Sequence, residues 1–388
     1  MKQRIIILAV ISALFTGGCL TNAASFGSSA NDTALKDAYK GRFMTGAALN
    51  ADQIYSDVPE PEMSLIKKHF NTVTPENILK WSQVHPAPGR YDFDPADKFV
   101  ELAERNDMFA VGHTLVWHNQ TPDWVFEDEN GRLLNRDALL GRMKDHIFAV
   151  VGRYKGRIKG WDVVNEAVED DGTLRKTKYL EIIGPDYIEK AFEYARLADP
   201  EAELYYNDYN MWKPEHRSGV VKLVRSLKDK GVRIDGIGMQ GHWGLNYPDL
   251  NEAADSIVAY SALGVKVMIT EFDISALPSA WDDRGADITK NYELNEKLNP
   301  YLAGLPPEMQ RKLADRYEQF FTLFSTHSDK ITRVTFWGVQ DGDSWLNNWP
   351  VKGRTDYPFL FDRDCRPKPA FYSVINVTKK VSPEGASE

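Results

Sequence analysis

Eight short apolar segments, separated by longer stretches of helical periodicity, constrain the fold of this chain more than any other feature. Because strands that alternate with helices pair in parallel through right-handed crossovers, eight such units predict one closed (β/α)8 TIM barrel of class α/β. The predicted strands are residues 43–48, 72–74, 109–115, 160–164, 203–207, 236–240, 265–270 and 331–336. Apolar residues recur with helical spacing at 95–105, 186–198, 214–230, 306–324 and 368–377.

The length of 388 residues is compatible with two or three average domains or with one large barrel. We favour one barrel at 39–380, because no linker, repeat or low-complexity run divides the chain. A flexible lead-in is expected at 25–38, a frayed tail at 381–388, and a loop insertion at the barrel mouth at 275–305. The net charge of −9 argues against nucleic acid as a partner.

The first 24 residues are typical of an export signal. Lys2 and Arg4 precede an apolar run at 5–15 that is too short to span a bilayer. Small residues before Cys19 favour a lipoprotein signal with a lipid-anchored Cys19, whereas Ala23 suits an ordinary signal peptidase. We expect an exported protein that is secreted, periplasmic or tethered to a bacterial membrane only through Cys19. Cys365 then has no partner for a disulfide or for a cysteine-based zinc site.

Polar and flat aromatic side chains follow the predicted strands, and in a barrel of this kind those positions face the catalytic end. Such a mixture suits a sugar chain, whose hydroxyls need hydrogen bonds and whose C–H faces pack on rings. Of the ten tryptophans, we expect Trp161 in the core and about half at the mouth, namely Trp117, Trp337 and Trp345 with Trp81, Trp243 and Trp349 nearby. The polar residues after strand ends are Glu76, Asn77, Lys80, His113, Gln120, Asn165, Glu166, Asn207, Tyr209, Gln240, His242, Glu271 and Asp273.

Glu166 and Glu271 each end an apolar strand, on the fourth and seventh units of the barrel. Either one alone is compatible with a helix cap or an ion pair with arginine. Together across one mouth they match the two carboxyl groups of glycoside cleavage, one acid and one nucleophile. His242 and Asp273 fit a chain that orients Glu271 and keeps it ionised. The histidines show no HExxH spacing, which argues against a metal site.

Six motifs occur in the order found in a known enzyme family. They are TPEN with Lys80-Trp81, GHTLVWHNQTPDW at 112–124, WDVVNEA at 161–167, GIGMQGHW at 236–243, ITEFDIS at 269–275 and FWGVQDGDSW at 336–345. Through these motifs the chain resembles the glycoside hydrolase family 10 endo-1,4-β-xylanases from residue 40 to residue 377. The resemblance implies a barrel fold, hydrolysis of the internal β-1,4 bonds of xylan, and net retention of anomeric configuration.

The roles of the family's residues carry over by position. Glu166 corresponds to the general acid/base, Glu271 to the nucleophile, and His242 and Asp273 to the support of the nucleophile. Asn165 resembles the residue that hydrogen-bonds the 2-hydroxyl of the reacting sugar. The resemblance further implies a −1 subsite wall of His113, Trp117, Gln240, Trp337 and Trp345, contacts to the −1 and −2 sugars from Glu76, Asn77, Lys80 and Gln120, and Tyr209 on the +1 side.

Two departures and two alternatives accompany this prediction. Leu346 stands where the family often has Arg, and the segments 275–305 and 347–358 are long. The same scaffold in principle suits a β-1,4-glucanase or mannanase, or a non-catalytic glycan-binding lipoprotein. We expect a monomer that acts on xylan and xylo-oligosaccharides and needs neither a cofactor nor a metal.

Overall fold

Eight parallel strands close into a barrel in the computed structural model, which describes residues 33–55, 60–279 and 292–381. The ring runs from β1 to β6, continues through β8 and β9, and closes where β9 pairs with β1. The (β/α)8 fold predicted from the sequence is therefore confirmed. The strands are β1 (Met44–Leu49), β2 (Thr72–Pro75), β3 (Phe109–Trp117), β4 (Gly160–Asn165), β5 (Glu203–Asp208), β6 (Gly236–Met239), a short β7 (His242–Gly244), β8 (Lys266–Ser275) and β9 (Ile331–Phe336).

The helices of the described segments surround this barrel. The five predicted helices are present with ends that differ by at most three residues, and others, including the 18-residue α6, were not predicted. They are α1 (Leu35–Ala38), α2 (Ala51–Tyr55), α3 (Glu60–His69), α4 (Trp81–Val84), α5 (Asp94–Arg105), α6 (Arg136–Arg153), α7 (Lys178–Ile183), α8 (Tyr187–Ala198), α9 (Pro214–Asp229), α10 (Leu250–Ser261), α11 (Pro307–Thr326) and α12 (Pro369–Lys380).

Helix α6 illustrates why these segments are helical. The side chain of Asn135 accepts a hydrogen bond from the backbone N–H of Ala138, which caps the first turn. Leu139, Met143 and Ile147 then recur every four residues and are fully buried against the barrel. This stripe supplies the packing that most of a helix's stability depends on.

The barrel strands are buried on both faces, as expected where helices cover a parallel sheet. All six residues of β4 are buried, including the ring of Trp161, as predicted. That ring leaves no room on β3 for a side chain at Gly112, where a Cβ atom would lie 2.1 Å from it. The pairing of β3 with β4 at this point therefore depends on the large ring of Trp161 and on a glycine at position 112.

Two predicted boundaries need correction. The lead-in expected at 25–38 ends too late, because Leu35–Ala38 is a helix whose Leu35 is fully buried. The loop expected at 275–305 begins at the last residue of β8, and its residues 280–291 lie outside the described ranges. The signal segment and the tail from residue 382 also lie outside them. No helix within the described ranges is both long and apolar enough to cross a membrane.

Candidate active site

The carboxyl ends of the strands gather the predicted site residues at one end of the barrel. Because parallel strands point the same way, side chains at their last residues and in the loops that follow converge there. Glu166 directly follows β4, and Glu271 lies within β8. Both are nearly removed from solvent, at 8% and 5% exposure.

The Glu166 carboxylate is surrounded mainly by neutral donors. Its Oε2 accepts a hydrogen bond from Trp117 Nε1 at 2.9 Å, and its Oε1 accepts one from Gln240 Nε2 at 2.9 Å. Burial and the negative charge of Asp208 raise the pKa of Glu166, and the two donors and Arg175 offset this only in part. Glu166 is therefore suited to remain protonated at a higher pH than an ordinary carboxylic acid.

The Glu271 carboxylate has the opposite environment. Its Oε1 accepts a hydrogen bond from Asn207 Nδ2 at 2.7 Å, and its Oε2 lies 3.1 Å from His242 Nε2. Burial would raise the pKa of Glu271, but the hydrogen bond from His242 and the charges of His113, His242 and Lys80 lower it below the usual value. This carboxylate is therefore held ionised.

His242 lies between two carboxylates in the order expected from the sequence. Its Nδ1 is 2.9 Å from Asp273 Oδ2, and β7 and β8 pair these two residues in register. Burial would lower the pKa of His242, but Asp273 and Glu271 raise it to about 10. The imidazolium can then donate to both neighbours at neutral pH. Trp345 Nε1 donates to the same Oδ2 of Asp273 at 2.8 Å, which fixes that carboxylate further.

A buried histidine–aspartate pair lies beside the two carboxylates. His113 Nδ1 is 2.9 Å from Asp162 Oδ2, and both residues are 2% exposed. The ring of Trp337 packs edge-on against His113 with centroids 5.2 Å apart. Trp337 itself is buried, so His113 and Trp337 form a rigid wall of the cleft.

Polar residues after β2 and β3 form a second group at the same end. Lys80 Nζ donates to Asn77 Oδ1 at 2.9 Å and lies 4.9 Å above the ring of Trp117. Gln120 Nε2 donates to the same oxygen of Asn77 at 3.4 Å. Burial raises the pKa of Glu76, and the charge of Lys80 opposes that rise.

Asn165 and Tyr209 complete the set of predicted residues. The Asn165 side chain lies 2.9 Å from Asn207 Nδ2 and 3.4 Å from Glu166 Oε1, so it connects the surroundings of both carboxylates. The Tyr209 hydroxyl accepts a hydrogen bond from Arg175 Nη2 at 2.8 Å. The polar residues predicted for the site therefore lie near the carboxyl ends of the strands or in the loops that follow them.

Two expectations about tryptophan residues change. Trp243 is 3% exposed and packs on Phe320 with centroids 4.3 Å apart, so it belongs to the core rather than to a sugar platform. Trp81 is 2% exposed and stacks on His146 at 3.7 Å. Trp349, in contrast, is half-buried and stacks on Trp345 at 5.0 Å. Leu346 is 2% exposed, so this position contributes apolar packing instead of a polar group to the cleft.

Several residues around the two carboxylates were not among those predicted for the site. Asp162, Arg175 and Asp208 are charged and buried, at 2%, 6% and 0% exposure. A charged residue inside an apolar strand must have a partner, so the Asp in WDVVNE carried a usable signal. The role of Arg175 depends on a loop conformation that sequence spacing does not specify. Among the described residues, no group of three or more His, Cys, Asp or Glu side chains is arranged to hold a metal ion.

Comparisons with known proteins identify the family of the chain. The profile of glycosyl hydrolase family 10 matches residues 34–377. The chain is 47% identical over 347 residues to endo-1,4-beta-xylanase A of Xylanibacter ruminicola, covering 89% of this chain and 94% of that protein. It is 46% identical over 345 residues to an endo-1,4-beta-xylanase of Geobacillus stearothermophilus, covering 88% and 98%.

Solved structures agree with the sequence comparison. A GH10 endoxylanase retrieved from a sugarcane soil metagenome superposes with a TM-score of 0.86 at 44% identity, covering 89% of this chain and all of that one. Xylanase XynB from Paenibacillus barcinonensis, complexed with a conduramine derivative, superposes with a TM-score of 0.79 at 42% identity, covering 88% and 98%. The chain is a member of glycosyl hydrolase family 10.

Proposed function

We propose that this protein is a retaining endo-1,4-β-xylanase, with Glu271 as the nucleophile and Glu166 as the general acid/base. One observation carries the proposal: two buried carboxyl groups share one cleft but have opposite pKa shifts, raised for Glu166 and lowered for Glu271. Such a pair supplies one proton donor and one nucleophile at the same pH. The family membership and the names of the relatives support xylan as the substrate.

The reaction has two displacements. In the first, a carboxylate oxygen of Glu271 attacks the anomeric carbon while Glu166 gives its proton to the leaving glycosidic oxygen, and the glycosidic C–O bond breaks. In the second, Glu166 removes a proton from water, the water oxygen attacks the anomeric carbon, and the ester bond to Glu271 breaks. Two inversions give net retention and return both side chains to their starting states.

The remaining site residues bind the sugar chain. Asn165 is the donor to the 2-hydroxyl of the reacting xylose, and Tyr209 lines the +1 side. His242 and Asp273 keep Glu271 ionised and oriented. The −1 wall consists of His113, Trp117, Gln240, Trp337 and Trp345, and the contacts to the −1 and −2 sugars come from Glu76, Asn77, Lys80 and Gln120.

Hydrolysis of purified xylan, cello-oligosaccharides and manno-oligosaccharides tests the substrate, and NMR of the first-formed anomer tests the stereochemistry. We expect release of short β-configured xylo-oligosaccharides from xylan and little release from the other two. A faster rate on cello- or manno-oligosaccharides would instead support a β-1,4-glucanase or mannanase. No release from any of them would indicate a non-catalytic glycan-binding protein.

We also propose that the chain is exported and that residues 1–24 are its signal. The basic start, the apolar run and the small residues before Cys19 support this. The mass of the mature N-terminus after expression in a bacterial host decides between the two forms. A diacylated Cys19 supports the lipid anchor, cleavage after Ala23 supports free secretion, and an intact Met1 would contradict export.

A further inference from the structure

A second histidine–carboxylate chain contacts the backbone that follows Glu166. His216, in the first turn of α9, is fully buried. Its Nε2 is 3.3 Å from Asp208 Oδ2, and its Nδ1 is 3.5 Å from Asp170 Oδ1. Asp170 also accepts a hydrogen bond from Lys213 Nζ at 2.8 Å, which anchors the outer end of the chain.

Asp208 holds the backbone that follows Glu166. Its Oδ2 accepts hydrogen bonds from the N–H of Val168 at 3.3 Å and from the hydroxyl of Tyr206. That hydroxyl in turn accepts from the N–H of Ala167 at 3.0 Å. Two consecutive backbone donors after Glu166 therefore end, directly or through one hydroxyl, on the Asp208 carboxylate.

These contacts matter because the backbone of Glu166 has a conformation that is unfavourable for a residue with a side chain. Its φ of 57° lies in the left-handed region, where residues other than glycine are strained. Arg175 donates to the carbonyls of Glu166 and Val168 at 2.8 and 2.9 Å, and the N–H of Glu166 donates to the carbonyl of Asn207 at 2.9 Å. The strained residue is thus fixed on both sides by bonds to β5 and to Arg175.

The charges of the same groups act on the Glu166 carboxyl. The charges of Asp208, Arg175 and Lys80 act on it, and Trp117 and Gln240 are neutral hydrogen-bond donors to it. Asp208 raises the pKa of Glu166, and Arg175 lowers it. His216 faces Asp208, Asp170 and the ring edge of Tyr209. Burial would lower the pKa of His216, but the two carboxylates raise it to about 9, so it is a cation at neutral pH.

We propose that Asp208 and His216 are positioning residues for the acid/base: Asp208 fixes the backbone of Glu166, and His216 limits how much negative charge acts on its carboxyl group. The inference rests on the proposed function, because it assumes that Glu166 is the proton donor. It assigns to Glu166 a histidine partner that acts indirectly, whereas His242 contacts Glu271 directly. Each of the two carboxyl groups would then be positioned by its own aspartate–histidine pair.

The test is the alkaline side of the pH profile of kcat/KM on an unbranched xylo-oligosaccharide, where loss of the proton from the acid ends activity. Asp208→Asn removes a negative charge, so we expect the alkaline midpoint to fall by about half a pH unit or more. His216→Gln leaves Asp208 unbalanced, so we expect the midpoint to rise by about the same amount. The double variant should return close to the wild-type midpoint.

Opposite shifts distinguish this role from a merely structural one, which lowers activity at every pH and leaves the midpoint in place. His327→Gln, in the loop before β9 at the other end of the barrel, is the matched control and should leave the profile unchanged. If Asp208→Asn does not fold, His216→Gln, which preserves the backbone hydrogen bonds of Asp208, carries the test alone. A midpoint that stays in place or falls in His216→Gln overturns the inference. Failure of the proposed function differs, because Glu166→Gln would then retain full activity on the same substrate.

Discussion

The His242→Gln substitution removes the cation that contacts the Glu271 carboxylate. Gln can still donate one hydrogen bond but is neutral at every pH, so the change chiefly removes charge. In the wild type, His242 Nε2 is 3.1 Å from Glu271 and Nδ1 is 2.9 Å from Asp273. Since burial alone raises the pKa of Glu271, we expect that pKa to rise in the variant. Activity should then be lost at a higher pH on the acid side, because the nucleophile must be ionised.

The structure gives the size of this effect. The two carboxylates raise the pKa of His242 from 6.5 to about 10 against the opposing effect of burial. A tenfold change in an ionisation constant corresponds to about 1.4 kcal/mol, so the imidazolium is stabilised by roughly 5 kcal/mol even after the opposing effect of burial is subtracted. Asp273 contributes the larger part of this stabilisation and Glu271 the smaller part. Because the interaction is mutual, the acid midpoint of kcat/KM should rise by about one pH unit.

The assay is the pH profile of kcat/KM on a xylo-oligosaccharide for the wild type and for His242→Gln. His327→Gln again serves as a matched control distant from the cleft. A lower kcat with the acid midpoint unchanged would refute the reasoning, because His242 would then orient Glu271 without stabilising its charge. Equal activity of the variant and the wild type at every pH would refute both roles.

Three further predictions concern catalysis and stability. Glu166→Gln should reduce hydrolysis of xylan about 10²–10⁴-fold. It should spare the first step on an aryl xyloside whose leaving group needs no proton, and a burst of released phenol would report that step. Equal losses on both substrates would argue against an acid role. In the wild type, the buried Asp341 carboxylate lies 2.9 Å from Lys368 Nζ. Lys368→Met leaves this carboxylate without its counter-charge, so the free energy of unfolding from denaturant titration should fall by about 3–5 kcal/mol. An unchanged denaturation midpoint would contradict this prediction. Burial and Glu62 raise the pKa of Asp343 from 3.8 to about 8, so the wild type should lose stability as the pH rises from about 4 to about 8. Asp343→Asn should therefore raise the melting temperature more at pH 8 than at pH 5, and an equal change at both would contradict the ionisation.

The barrel was predictable from the sequence because each strand is a short apolar run buried on both faces. Ile331–Phe336 matched to the residue, and each of the other seven barrel strands differs by one to five residues at one or both of its ends. Strand β8 was predicted too short, since the polar residues Glu271 and Asp273 interrupt its apolar pattern while remaining in the sheet. Helix α6 was missed because the polar His146 is buried within its apolar stripe and Phe148 is exposed outside it, which weakens the helical pattern in the sequence.

The site was predictable to the extent that strand ends mark the catalytic end of a barrel. That rule and the motif order found Glu166, Glu271, His242 and Asp273, but the rule misassigned Trp243, which follows β6 and yet points into the core. The residues that position Glu166 were not found. Their position depends on how the loops after β4 and β5 contact each other. The periodicity of apolar residues in the sequence does not predict such contacts between loops.

Trapping the covalent intermediate tests the central claim most directly. A dinitrophenyl 2-deoxy-2-fluoro-β-xylobioside should inactivate the enzyme, release one equivalent of dinitrophenol, and add one fluoroxylobiosyl group per chain. Peptide mapping by mass spectrometry should locate that group on Glu271, and excess xylo-oligosaccharide should restore activity. A label on another residue, or turnover without any covalent adduct, would contradict the assignment of Glu271 as the nucleophile of a retaining mechanism.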